Sequence, residues 1–97
     1  MAYTVSQAAD ADIDALFDLG IDLFGQAQAE NYVAGLIKTL EFLASFPRAA
    51  RLRDDLPSPI RAYPYKAHLI LYDIDDTDDI VIVRVRHGHE DWQTHPL

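Results

Sequence analysis

A single glycine joins two stretches of helical periodicity, and that junction limits the fold more than anything else in the chain. Ala9, Ile13, Leu16, Phe17, Gly20 and Phe24 share one stripe at the helical repeat, and Ala29, Tyr32, Val33, Leu36, Leu40 and Leu43 share a second. Ser6 suits the N-cap of the first stretch, and Asp10 and Asp12 stand in its first turn, where the helix dipole favours acid. Gly25 interrupts the pattern after residues 6–24, and Pro47 ends the second helix by driving its predecessor out of the α region. Helices joined this tightly lie antiparallel, as a hairpin whose apolar side needs a sheet to cover it. Phe42 falls off the second stripe and faces something else.

The remaining segments supply that sheet. Ala2 to Val5 reads as an edge strand, and Ile60 to Tyr63, His68 to Asp73 and Ile80 to His87 read as three more. Phe46 to Pro59 is a loop by its prolines and charges, and Asp75 to Asp79 is the turn between the last two strands. Short connections make the three strands an antiparallel meander. The expected fold class is α+β, in the order β-α-α-β-β-β, with an antiparallel helical hairpin packed on a small antiparallel sheet in one domain over residues 1–97. Leu69 to Leu71 and Ile80 to Val83 are apolar on both strand faces, so both faces need cover. Val81, Val83 and Val85 are expected under the hairpin. Ile80, Ile82, Arg84 and Arg86 then look outward, toward a C-terminal tail carrying Trp92 or toward a partner.

Charge narrows the function. The net charge of −8 opposes binding to a polyanion on the average surface. The charge is segregated, however. Ser6 to Ser45 holds Asp10, Asp12, Asp14, Asp18, Asp22, Glu30 and Glu41 against Lys38 alone, whereas Phe46 to Tyr72 holds Arg48, Arg51, Arg53, Arg61 and Lys66 against Asp54 and Asp55. Asp10, Asp14, Asp18 and Asp22 form one ridge at four-residue spacing, most simply a solvated face and otherwise a docking edge for a basic partner. The absence of cysteine excludes a thiol nucleophile and a cysteine metal site. No leader pattern and no long apolar run is present, so a soluble intracellular protein with no membrane contact is expected.

Arg61 shares a strand face with Tyr63, and Arg84 and Arg86 share another, with His87 and His89 close behind. If their strands were neighbours, these groups would converge into a basic cluster able to hold a phosphate beside a proton-transferring histidine. The simpler reading makes them surface groups paired with Asp73, Glu90 or Asp91. His87, His89 and His95 with Glu90 and Asp91 lack a third ligand at defined spacing, so no metal and no cofactor is expected.

Ser6, Ala9, Asp12 and Ile13 opening the first helix, Gly25 between helices, Leu43 and Pro47 closing the hairpin, Arg61, HLILY at His68 to Tyr72 and VRVRHGHEDW at Val83 to Trp92 occur in a characteristic order. The chain thereby resembles ParE toxins of the RelE/ParE superfamily, the toxin half of type II toxin-antitoxin pairs. The resemblance implies a cytoplasmic bacterial protein in a hetero-oligomer with a ParD-like antitoxin, whose ribbon-helix-helix domain, rather than this chain, binds DNA. It implies DNA gyrase as the target and no catalytic residues. It assigns antitoxin contacts to Leu16, Phe42, Arg48, Arg51, Arg53, Arg61, Tyr63, Leu69, Leu71, Ile82 and Arg84, and target contacts to Arg84, Arg86, His87, His89 and Trp92. The alternatives are a RelE-like ribosome-dependent messenger ribonuclease using Arg61, Arg84 and His87, or an interaction module without toxicity. The acidity departs from the family, as do Ala50 and His89 where glycine and arginine are common, which shifts weight to apolar anchors and the Arg48 to Arg61 region.

Overall fold

A computed structural model describes residues 2–56 and 59–88 of the chain. Ser6 sets the architecture at the start. Its backbone N–H donates to the Ile82 carbonyl, which ends strand β1 (Tyr3–Val5), while its side chain accepts from the Ala9 N–H and caps helix α1 (Gln7–Phe24). Gly25 has φ 89 and serves as both the last cap of α1 and the first cap of α2 (Gln26–Ser45), a conformation that only glycine adopts without strain. A Cβ on Gly20 would stand 3.3 Å from the Ala29 methyl, so the two helices approach closely just before the turn. The expected hairpin is present.

The sheet has five strands in the order β1-β5-β4-β3-β2, with β2 (Leu52–Arg53), β3 (Ile60–Tyr65), β4 (His68–Ile74) and β5 (Ile80–His87). The meander β3-β4-β5 is antiparallel, as expected. β1 joins it parallel to β5, from Tyr3 opposite Ile80 to Val5 opposite Ile82. The short β2 lies within the segment read as loop, because Leu52 and Arg53 pair with Arg61 and Ile60. In the turn before β5, the Asp75 carboxylate accepts from the Thr77 and Asp79 N–H groups and Asp78 takes φ 64, which fixes the hairpin register.

The face assignment of β5 is corrected by a β-bulge. Tyr72 pairs with Ile82 and Leu71 with Arg84, so Val83 is the extra residue. Before the bulge Ile80 and Ile82 point under the hairpin and are fully buried, and after it Val85 does. They pack with Ala9, Leu36, Leu40, Leu43, Ile70 and Tyr72. Val83 instead packs on the opposite face, in a second cluster built on Leu56, Ile60 and Leu71. On that second face the chain's own Leu56 packs with Ile60 and Leu71, while Ala62, Leu69 and Val83 stay partly buried, and the expected cover by Trp92 falls outside the described residues.

Tyr72 ties the loop after α2 to the sheet. Its buried hydroxyl donates to the Pro47 carbonyl at 2.7 Å and accepts from the Ala50 N–H at 3.3 Å. Tyr72→Phe leaves both loop groups without this partner and is expected to lower stability by about 1–3 kcal/mol. A fall in the urea midpoint at unchanged slope checks this. An unmoved midpoint would mean that the loop is anchored elsewhere.

Candidate functional site

Past Ile82, β5 has lost the cover of β1, and α1 takes over that edge. The Ser6 hydroxyl donates to the Val83 carbonyl at 2.7 Å, and the Asp12 carboxylate accepts from the Val85 N–H at 3.0 Å. Asp12 also takes two bonds from Arg84, Nε at 2.6 Å and Nη2 at 2.9 Å, a fork-to-fork pair with both side chains largely withdrawn from water. Burial by itself would raise the Asp12 carboxyl. The bonds from Arg84 and Val85, with the charges of Arg84 and Arg86, outweigh it and hold the group below the usual carboxylate range.

This arrangement corrects the reading of Arg84, which pairs with Asp12 rather than with Asp73. It also rules out the basic cluster that neighbouring strands would have formed. β4 lies between β3 and β5, so Arg61 and Arg84 are not on neighbouring strands. Arg61 donates instead to the Ala50 carbonyl at 2.6 Å, beside the Tyr72 clamp.

His87 belongs to a different constellation. Tyr65, His68 and His87 are cross-strand neighbours on β3, β4 and β5, and Tyr32 of α2 closes over them. Tyr32 Oη lies 2.7 Å from His68 Nδ1, the His68 and His87 rings meet edge to face at 5.2 Å, and the Tyr65 hydroxyl donates to the Tyr32 carbonyl at 2.8 Å. Burial pushes the Tyr32 hydroxyl up, so it stays protonated at neutral pH. Sequence reading placed Tyr32 in the core stripe and gave His68 no role. Only the strand register brings them to His87.

The residues assigned to a partner divide by burial. Leu71 and Ile82 are fully buried, Leu71 beneath Leu56 and Ile60 and Ile82 beneath the hairpin, and neither offers surface. Leu16 and Leu69 are partly buried against the two cores. Phe42 is exposed and packs against Phe46 and Tyr63, at ring distances of 5.3 and 5.8 Å. Phe42, Ser45, Phe46, Pro47, Arg48 and Ala49 line an open groove of about 510 Å³. Arg48 reaches Asp78 at 3.2 Å, and Arg53 reaches Asp55 at 3.0 Å, both in exposed ion pairs. Leu52 is a further exposed apolar residue on β2, and it and Phe46 went unassigned in the sequence. Arg86 sits opposite Leu69 on β5. His89 and Trp92 lie outside the described residues. Among the described residues no helix is long and apolar enough to cross a membrane.

Residues 3–92 match the family model of the ParE toxin of type II toxin-antitoxin systems, parDE. Toxin ParE1 of two Mycobacterium tuberculosis strains, CDC 1551 / Oshkosh and H37Rv, is 30% identical to the chain over 89 residues, covering 92% of this chain and 91% of its own length. A solved structure of a chromosomal ParDE TA system from P. aeruginosa shares the fold at a TM-score of 0.75, with 20% identity over 90% of this chain and 95% of that one.

The Asp12 site carries a pH signature. Its folded carboxyl titrates below the ordinary value of 3.8, so its contribution to stability is present in full above that value and is lost as pH falls through the folded one. Asp12→Ala is expected to cost about 1–3 kcal/mol at pH 7, since it strips partners from Arg84 and the Val85 N–H. The difference from the parent should shrink in acid, below pH 3.8. Denaturant melts at pH 7 and in acid check both. An equal deficit at the two pH values would refute the linkage.

Proposed function

The chain belongs to the ParE toxin family of type II toxin-antitoxin systems, and from that premise we propose that it acts by binding rather than by catalysis. In this reading a ParD-like antitoxin with a ribbon-helix-helix domain neutralises it in the cytoplasm, and the free toxin inhibits DNA gyrase. The observation that carries the reading is the dispersal of Arg61, Arg84 and His87. A messenger ribonuclease needs its cations and its proton-transfer group around one phosphate. Here Arg84 on β5 is engaged by Asp12, Arg61 on β3 by the Ala50 carbonyl, with β4 between the two strands, and His87 meets the His68 ring. The net charge of −8 adds a general repulsion from RNA.

The groove around Phe42 is the best antitoxin seat. It offers two aromatic anchors with Arg48 on its wall, Tyr63 against it and Arg51 and Arg53 in the following segment, the mixture of apolar anchor and cation that captures an amphipathic acidic segment. The target surface is the far end of β5, with Arg86 and His87; His89 and Trp92, the other expected contacts, lie outside the described residues.

Purified toxin is expected to block gyrase supercoiling of relaxed plasmid or to accumulate cleaved DNA. No effect at molar excess over gyrase would eliminate this target. Phe42→Ala is expected to weaken antitoxin binding about 5- to 30-fold, roughly 1–2 kcal/mol. Titration calorimetry reads this directly, and an unchanged Kd would place the antitoxin elsewhere.

A further inference from the structure

Helix α1 carries a second apolar stripe that the fold does not use. Ala15, Leu19 and Leu23 recur at four-residue spacing on the side turned to solvent, with Leu19 58% and Leu23 62% exposed, and Phe24 extends the stripe at the hairpin tip at 63%. Asp14, Asp18 and Asp22, each one residue earlier, run beside it as an equally exposed acidic row. The inward side of the same helix is met by Ala9, Ile13 and Leu16, and among the described residues the outer leucines belong to neither buried cluster. Paired leucines on a solvent face mark a contact surface rather than a scatter of single residues.

The chemical complement stands at the other end of α2. There Phe42 and Phe46 are exposed in the groove, and the segment from Phe46 to Arg53 carries Arg48, Arg51 and Arg53 with no acid among them. Gln26 and Phe42 are separated by about 24 Å of helix, taking 1.5 Å of rise per residue, so the tip and the groove are held apart within one molecule. The ion pairs Arg48–Asp78 and Arg53–Asp55 are exposed, and pairs of that kind exchange partners at little cost.

We infer that the free chain binds a second copy of itself head to tail. The Leu19–Leu23 stripe of one protomer seats on the Phe42–Phe46 groove of the next, and its Asp14, Asp18 and Asp22 row meets Arg48 and Arg51. The two patches differ, so the contact is heterologous, and each pair still presents one unused patch of either kind. Association therefore continues beyond the dimer as concentration rises.

Two double variants at exposed positions test this, each used only if it keeps the parent's melting temperature. Leu19→Ser with Leu23→Ser removes the stripe, and Phe42→Ser with Phe46→Ser removes the groove. By sedimentation velocity of the isolated chain, the parent mass should climb above 10.9 kDa with concentration, and each variant alone should stay at 10.9 kDa. An equimolar mixture of the two variants should form a heterodimer and stop there, because each retains the patch that the other lacks. A parent that stays monomeric up to about 1 mM, a variant that still self-associates, or a mixture that stays monomeric while the parent associates would each overturn the inference.

Discussion

The structure depends on how the edge of β5 is satisfied once β1 has ended. β1 is three residues long, so the backbone groups of β5 beyond Ile82 would face either water or nothing, and unpaired backbone groups in a packed region are costly. The first turns of α1 answer this with side chains, Ser6 on the Val83 carbonyl and Asp12 on the Val85 N–H. The same two residues cap the helix and bind Arg84. Strand and helix are thereby fixed to each other without a longer strand. Gly25 and the close contact of Gly20 with Ala29 then fix α2, and α2 supplies most of the buried leucines over the sheet.

The bulge at Val83 follows from the order of residues on β5. In regular alternation Ile80, Ile82 and Arg84 would share a face, and that face lies beneath the hairpin. A guanidinium placed there would lose its hydration without a partner, at a cost of several kcal/mol. The extra residue hands the inward position to Val85 and moves Arg84 to the edge, where Asp12 meets it. The arginine that would be the natural phosphate ligand of a nuclease is thus consumed by the architecture. Its removal from the candidate catalytic set and the integrity of the strand have one cause.

What could be read from the sequence was local. The Ser6 cap, the Gly25 break, most of the two inward stripes and the Asp75 to Asp79 turn all depend on residues within a few positions of each other, and they came through, whereas Phe24, placed on the first stripe, is exposed at the hairpin tip. The pairing of Asp12 with Arg84 spans 72 residues, and nothing near Asp12 distinguishes a strand-edge acceptor from an ordinary first-turn acid. The bulge leaves no mark in a run such as Ile80 to Val83, apolar at every position, so every face on that strand was inverted up to it. That error made Ile82 look like surface. Leu71 looked like surface because Leu56, in a segment read as plain loop, closes over it. Phe42 was legible as an outward residue, since its position on the helix needs no tertiary knowledge. Its partners Phe46 and Tyr63 did need it.

Net charge decides less about partners than the summed −8 suggests. Screening at physiological ionic strength acts over about 8 Å, whereas the acidic end of the hairpin stands about 24 Å along α2 from the Phe42 groove. At the groove a partner therefore meets the local chemistry, two aromatic rings with Arg48 in an exposed pair with Asp78, and not the average field. An acidic segment approaching there is attracted at close range by a molecule that repels it from afar, which lowers the rate of encounter more than the strength of the complex. Acidity in this toxin is compatible with an acidic ligand for that reason. The charge that matters is the charge within one screening length of the apolar anchors.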